Sequence, residues 1–152
     1  MYLVWNKSLE TGNELIDTQH RLLVMLCMKL DLAIGAKKSG EELARIVLEV
    51  ERFAEFHFVS EENLMMEVGY PDLEKHRVMH ASLLTELREM TQLLTQGKAT
   101  AQELLVFVER WLVSHIGRED TRIGKHAAKS ARRPLGEELY QQYFRLAPAS
   151  RG

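Results

Sequence analysis

Histidines and acidic residues recur along this sequence at spacings that suit the inner faces of helices. The set has five of the six histidines and two acids: His20, His57, His76, His80, His115, Glu61 and Asp120. His57 with Glu61, and His76 with His80, are four residues apart, so each pair lies on one helix face one turn apart. Burying a carboxylate is costly unless it is paired or bound to metal. Because imidazole and carboxylate together suit iron, zinc or copper, the set predicts an internal metal site.

The last acid of the set has an irregular spacing. Asp120 follows His115 by five residues, which at about 100° per residue turns it about 140° away from the His115 face of an ideal helix. Asp120 must therefore lean back or lie where the helix loosens, and Gly117 would help it to do so. Glu119 is the rival, because it lies four residues after His115 and shares its face.

Four long helices are predicted to carry these residues, because apolar residues recur at intervals of three and four around each of them. After an arm at residues 1–16, the predicted helices span about residues 17–38, 41–68, 71–97 and 101–120.

Capping residues mark the ends of these helices. Asp17 is the predicted N-cap of the first helix, and Ser39–Glu42 and Thr100–Glu103 have the form of capping boxes that begin the second and fourth. Gly69 is predicted to end the second helix, and Pro71 suits the first turn of the third.

Short links between the helices make neighbours antiparallel, so the predicted fold is all-α, an up-down-up-down four-helix bundle. Facing helices lie about 8–10 Å apart, which leaves room for metal ions between inward-pointing side chains. Seven protein ligands are too many for one ion and suit two ions bridged by the two carboxylates. Glu62, adjacent to Glu61, is expected to be a surface charge outside this site.

The composition is that of a soluble globular domain. The chain has 152 residues, of which 45% are hydrophobic and 28% charged. No apolar run approaches the roughly 20 residues that span a bilayer, and the N-terminus lacks the pattern of a signal peptide. The single cysteine, Cys27, cannot form an internal disulfide and is expected to be a buried structural thiol. A cytoplasmic protein that contacts no membrane is therefore predicted.

Charge divides the chain near residue 120. Residues 121–152 contain seven Lys and Arg against two Glu, whereas residues 1–120 are net negative, within a total charge of −2. We expect a domain at 1–120 and a basic extension at 121–152, in which the helical pattern weakens, residues 137–146 could form a short fifth helix, and His126 is solvated. The acidic body gives no reason to bind nucleic acid. The extension could bind a protein partner or the protein's own acidic body.

The order H…HxxxE…HxxxH…HxxxxD resembles the ligand signature of the hemerythrin family, and every position of it is filled here. The flanking residues are also similar to those of bacterial members, at Trp5 and in the stretches Ile16–His20, Glu61–Met65 and Gly69–Pro71. The resemblance covers residues 1 to about 120, and it favours Asp120 over Glu119 as the last ligand.

The resemblance implies a non-haem di-iron centre. One iron would be bound by His76, His80 and His115, and the other by His20 and His57. Glu61 and Asp120 would bridge the two irons, beside a solvent-derived oxo or hydroxo group.

The same resemblance implies reversible O2 binding, for carriage, storage or delivery, and no enzymatic activity. Trp111 and Leu112, one turn before His115, would line an apolar O2 pocket. One alternative is an O2 or redox sensor that acts through a protein partner. A di-iron enzyme that handles peroxide or nitric oxide ranks third, because ferritin-like oxidases prefer Glu-x-x-His motifs and no histidine here has Glu three residues before it.

Overall fold

The protein is a bundle of four long helices followed by two short ones. The computed structural model describes residues 4–144. The helices are α1 (Glu14–Gly35), α2 (Gly40–Val68), α3 (Leu73–Thr95), α4 (Ala101–His115), α5 (Thr121–Lys129) and α6 (Leu135–Tyr143), with a π-helical turn at Ile116–Asp120 between α4 and α5. Contacts run in a ring from α1 to α2, α3, α4 and back to α1, which confirms the predicted up-down-up-down bundle.

Capping side chains begin and end the long helices largely where the sequence predicts. In the Ser39 capping box, the Glu42 N–H donates to Ser39 Oγ at 3.2 Å, and the Ser39 N–H donates to Glu42 Oε2 at 2.9 Å. Thr100 and Glu103 form the same reciprocal pair at the start of α4. Gly69 ends α2 in the left-handed region, with φ of 65°, a conformation that glycine adopts without steric cost.

The first helix begins three residues earlier than predicted. Asn13 is its N-cap and accepts from the Ile16 N–H at 3.1 Å, so the prediction of Asp17 as the N-cap was wrong. The buried carboxylate of Asp17 instead accepts from the N–H and Oγ1 of Thr11, both at 2.8 Å. These bonds hold the N-terminal arm against α1. The third helix begins at Leu73 with Asp72 as its N-cap, so Pro71 lies in the turn before it.

The apolar core lies along the bundle axis and extends beyond residue 120. Cys27 lies fully buried within it, and burial raises the pKa of its thiol to about 12, which confirms the prediction of an inert structural cysteine. A second cluster at one end includes Ile16, Met65 and Ile123, so α5 shares in the core. A Cβ atom at Gly124 would come within 1.9 Å of the Thr11 carbonyl oxygen, so only glycine permits this contact between α5 and the arm.

The chain after Asp120 is more helical than the sequence indicates. The prediction of a weak pattern there was wrong for Thr121–Lys129, which form α5. The predicted fifth helix at 137–146 corresponds to α6, although residues 145 and 146 lie outside the described part of the chain. Tyr140 of α6 lies 3.0 Å from Thr18 Oγ1 of α1, hydroxyl to hydroxyl. Within residues 4–144, no helix is long and apolar enough to cross a bilayer.

Candidate metal centre

The bundle brings all seven predicted ligands together in its interior. Each of the four long helices contributes to the set, and the π-helical turn contributes Asp120. None of the seven residues is more than 6% exposed. The helical spacing of the pairs on α2 and α3 explains why both members of each pair point inward.

These side chains form two groups that share both carboxylates. The first group is Glu61, His76, His80, His115 and Asp120, and the second is His20, His57, Glu61 and Asp120. Within each group the candidate ligand atoms all lie within 4.8 Å of one another, a spacing that could hold a metal ion.

Glu61 turns one oxygen towards each group. Its Oε1 lies 3.5 Å from Nε2 of both His20 and His57. Its Oε2 lies 3.2 Å from His80 Nε2 and 3.7 Å from His76 Nε2. A carboxylate arranged in this way can bridge two ions without changing its rotamer.

Asp120 divides its two oxygens in the same manner. Its Oδ2 lies 3.3 Å from His20 Nε2, whereas its Oδ1 lies 3.2 Å from His76 Nε2 and 3.1 Å from His115 Nε2. The two carboxylates therefore approach the same pair of positions from different helices.

The π-helical turn explains how Asp120 reaches the face of His115. Within it, the Thr121 N–H donates to the Ile116 carbonyl five residues earlier, so residues five apart align as residues four apart do in an α-helix. The sequence-based expectation of a loosened helix around Gly117 agrees with this geometry. Glu119, the rival ligand, is half-buried and lies 3.5 Å from Arg122 Nη1 instead.

Several polar atoms of the centre are buried without a hydrogen-bond partner among residues 4–144. They are both carboxylate oxygens of Glu61 and of Asp120, and Nε2 of His76, His80 and His115. Burying such atoms unpaired costs about 1–3 kcal/mol each. Divalent cations would satisfy all of them at once, so the donor set fits metal, and its mixture of imidazole and carboxylate fits iron, zinc or copper.

The centre keeps its acids ionised. Burial opposes ionisation of Glu61 and Asp120, yet the surrounding imidazoles hold the pKa of both carboxyl groups well below the usual range. Burial also opposes protonation of His20 and His76, but the nearby carboxylates of Asp120 and Glu61 raise the pKa of each to about 9. In His57, burial and the charge of His20 lower the pKa to about 4. The carboxylates thus attract cations, whether protons or metal ions.

The outer ring nitrogens of two histidines are held by side chains that the sequence analysis did not assign to the site. His57 Nδ1 donates to Gln19 Oε1 at 2.9 Å, and His80 Nδ1 lies 3.1 Å from Glu62 Oε1. Glu62 also accepts from Arg77 Nε at 3.2 Å. The prediction of Glu62 as a surface charge outside the site was wrong, because it is half-buried and contacts His80.

A signal for Gln19 and Glu62 was present in the sequence. Metal-binding histidines almost always donate their second ring nitrogen to a carbonyl or carboxylate, so nearby acceptors are candidates. Gln19 directly precedes His20, and Glu62 directly follows Glu61. Which ligand each one contacts depends on the packing between helices, which spacing alone does not give.

Aromatic and apolar residues enclose the centre. The ring of Phe58 stacks on His80, with centroids 3.9 Å apart, and meets Trp111 edge to face at 5.7 Å. Trp111 is 7% exposed and Leu112 is 1% exposed, so both are buried as the pocket prediction requires. Phe58 was not among the residues predicted from the sequence to lie at the site. The O2-pocket role of Trp111 and Leu112 stays a prediction.

The sixth histidine lies apart from the centre. His126 is half-buried on α5, its Nε2 donates to the Val68 carbonyl at 3.1 Å, and its ring meets Tyr70 edge to face. The prediction that His126 is solvated was therefore wrong. It ties α5 to the end of α2.

Comparison with known proteins gives one consistent result. The profile of the family described as "Hemerythrin HHE cation binding domain" matches residues 11–127. A bacteriohemerythrin of Pseudomonas aeruginosa is 31% identical over 119 residues, which are 78% of this chain and 77% of that protein. A bacteriohemerythrin of Campylobacter jejuni is 28% identical over 123 residues, which are 79% of this chain and 91% of that protein.

Solved structures agree with the sequence comparison. A crystal structure of wild-type hemerythrin superposes with a TM-score of 0.75 at 27% identity, covering 84% of this chain and 99% of that one. A crystal structure of a hemerythrin mutant gives a TM-score of 0.74 at 26% identity, covering 84% of this chain and 98% of that one.

Proposed function

Because this chain belongs to the hemerythrin family, we propose that it binds O2 reversibly at a non-haem di-iron centre, for oxygen carriage, storage or delivery. The observation that carries the proposal is the division of the two shared carboxylates, each of which turns one oxygen towards each histidine group. Two bridging carboxylates between three histidines and two histidines are a ligand set for a pair of ions.

The proposed ligands fall into three sets. One iron would be held by His76, His80 and His115, and the other by His20 and His57. Both would share the carboxylates of Glu61 and Asp120. The two-histidine group offers one protein ligand fewer, so we place O2 binding there. When bound, the ferrous pair supplies the two electrons that O2 takes up and gives back on release.

The side chains around the centre restrict what reaches it. Buried Trp111 and Leu112 are the proposed pocket residues, and they would exclude water and the protons that promote oxidation to the ferric state. Five imidazoles against two carboxylates leave few anionic ligands to stabilise highly oxidised iron. This balance supports reversible binding over the substrate oxidation of carboxylate-rich di-iron sites.

An O2 or redox sensor that acts through a protein partner is the second candidate. The observation that favours it is the exposure of apolar side chains on α6: Leu135, Leu139 and Tyr143 are 62%, 44% and 70% exposed. In this version residues 1–120 bind O2, and the basic extension at 121–152 contacts the partner.

The proposal is tested by counting metal and recording optical spectra of the purified protein with and without air. We expect two iron ions per chain and an absorption band that appears with O2 and disappears on degassing through several cycles. One ion per chain, or a spectrum that air changes irreversibly in a single step, would contradict reversible binding at a di-iron centre.

A further inference from the structure

His57 is held from outside by a relay of two side chains. Gln19 Oε1 accepts from His57 Nδ1 at 2.9 Å, and Gln19 Nε2 donates to Ser60 Oγ at 3.2 Å. Ser60 gives its hydroxyl proton to the Phe56 carbonyl at 3.1 Å, so it can only accept from the Gln19 amide. This fixes the amide orientation, which in turn fixes the proton of His57 on Nδ1. The unprotonated Nε2 of His57 then lies 3.2 Å from His20 Nε2 and 3.5 Å from Glu61 Oε1.

The outer end of this relay borders a cavity of about 230 Å³ between the bundle and the C-terminal helix. Ser60 lines the cavity from α2, and residues of the extension line it from the opposite side: Pro134, Leu135, Gly136, Glu137 and Leu139. The extension therefore forms the opposite wall of the cavity, and Ser60 is half-buried on the near wall.

The attachment of α6 to the bundle is mainly polar and shallow. Its contacts include the hydroxyl pair of Tyr140 and Thr18, and a bond from the Leu135 N–H to Glu67 Oε2 at 2.7 Å. No residue of α6 is buried, and Leu135 and Tyr143 are 62% and 70% exposed. Segments with few buried apolar contacts detach at low cost in free energy. Docking of α6 is therefore a step that a partner or a mutation can reverse.

The three-histidine group has no such connection. The outer nitrogen of His80 faces Glu62, which Arg77 holds through an ion pair on the surface of α2 and α3. None of these three residues lines the cavity beneath α6.

We propose that Gln19 and Ser60 are positioning residues for His57, and that docked α6 stabilises their relay by forming the opposite wall of the cavity at Ser60 and by contacting Thr18, next to Gln19. Metal held by the two-histidine group then depends on whether α6 is docked, whereas metal held by the three-histidine group does not. The inference rests on the proposed two-metal centre.

Zinc titration of the metal-free protein against a chromophoric chelator tests this, because zinc binds imidazole and carboxylate without redox chemistry. The wild-type chain should give two stepwise dissociation constants. Gln19→Leu should weaken one of the two zinc-binding steps about 10–100-fold, since outer partners of ligands contribute that much to metal affinity. Glu62→Gln should weaken the other step by a similar factor. The two steps are called the Gln19 step and the Glu62 step below. A chain ending at Ser130 should weaken the Gln19 step about 10-fold and leave the Glu62 step unchanged.

A double-mutant cycle separates relay from general stability. If α6 acts through the relay, truncation should add nothing to the weakened step of Gln19→Leu, but should combine additively with Glu62→Gln. Ser60→Ala should weaken the Gln19 step, and Ser60→Thr, which keeps the hydroxyl, should restore it.

A milder variant covers the case in which the truncated chain folds poorly. Tyr140→Phe removes only the hydroxyl that contacts Thr18, and should weaken the Gln19 step slightly, whereas Tyr143→Phe should have no effect. The relay would be overturned if truncation at Ser130 weakened both zinc-binding steps equally or had no effect. It would also be overturned if the effects of truncation and Gln19→Leu were additive. Fewer than two zinc ions in the wild-type chain would instead overturn the two-metal centre, and the relay with it.

Discussion

The two histidine groups share their carboxylates but differ in what supports them. On the three-histidine side, His80 is stacked on Phe58 and backed by the charged pair of Glu62 and Arg77. On the two-histidine side, His57 is backed by the neutral Gln19 and Ser60, beneath a loosely held helix. One side is thus supported by aromatic packing and charge, and the other by neutral polar side chains, one of which borders the cavity beneath α6. The difference teaches that two groups of ligands can share both carboxylates and still differ in the side chains that support them.

The largest effect should come from removing a shared ligand. Glu61→Ala should abolish binding at both positions, whereas His57→Ala should lose about one ion of two, because His57 belongs to one group only. Each lost site removes about 2.7 kcal/mol of stabilisation at a free metal concentration a hundredfold above Kd. Elemental analysis and thermal unfolding measure both quantities. Full iron content in Glu61→Ala would break the assignment of Glu61 as a bridge.

A second pair of variants tests the shared acid from the π-helical turn. Asp120→Asn should lower the metal content at both positions, because Asp120 contacts histidines of both groups. Glu119→Gln is the matched control and should leave the metal content unchanged, since Glu119 lies beside Arg122. Elemental analysis measures the metal content. The reverse pattern would mean that Glu119, four residues after His115, is the ligand, and not Asp120, five residues after it.

The pH dependence should involve both groups, because His20 and His76 lie on opposite sides and each has its pKa raised from 6.5 to about 9. In metal-free protein, their stabilising contribution is complete below pH 6.5 and is lost as the pH rises to about 9. Metal affinity should change in the opposite direction over the same window, because metal must displace these protons. Denaturant unfolding and zinc titration at several pH values check both trends. Affinity that falls with rising pH would contradict the assignment.

The smallest effect on metal content should come from the apolar enclosure. Leu112→Ala should keep both ions, lower the free energy of unfolding by about 2–5 kcal/mol, and shorten the lifetime of the oxygenated form. Val113→Ala is the control, because Val113 is 48% exposed and should change neither quantity. The decay of the oxygenated form's absorption band in air measures the lifetime of that form. An unchanged lifetime in Leu112→Ala would remove Leu112 from the pocket.

Local sequence signals predicted which side chains lie together in the bundle interior, because helical spacing converts directly into shared faces. The positions of His57 and Glu61 follow from their spacing alone, and the capping box at Ser39 ends the preceding link as expected. Asp17 misled the prediction because it has the chemistry of an N-cap. Asn13 takes that position, while the Asp17 carboxylate is engaged by the arm.

Features that depend on contacts between distant segments were not predictable in the same way. The helix α5 forms although its own sequence is basic, because Ile123 and Gly124 pack against the bundle and the arm. Gln19 and Glu62 acquire their roles from partners about forty and eighteen residues away along the chain. No local pattern encodes such pairings.

Anomalous diffraction at the iron edge from crystals of the iron-loaded protein tests the central claim most directly. The account predicts two peaks, about 3.5–4 Å apart as in other two-metal sites. One should lie among His76, His80 and His115, the other beside His20 and His57, with Glu61 and Asp120 touching both. A single peak, or two peaks without a common carboxylate, would contradict it.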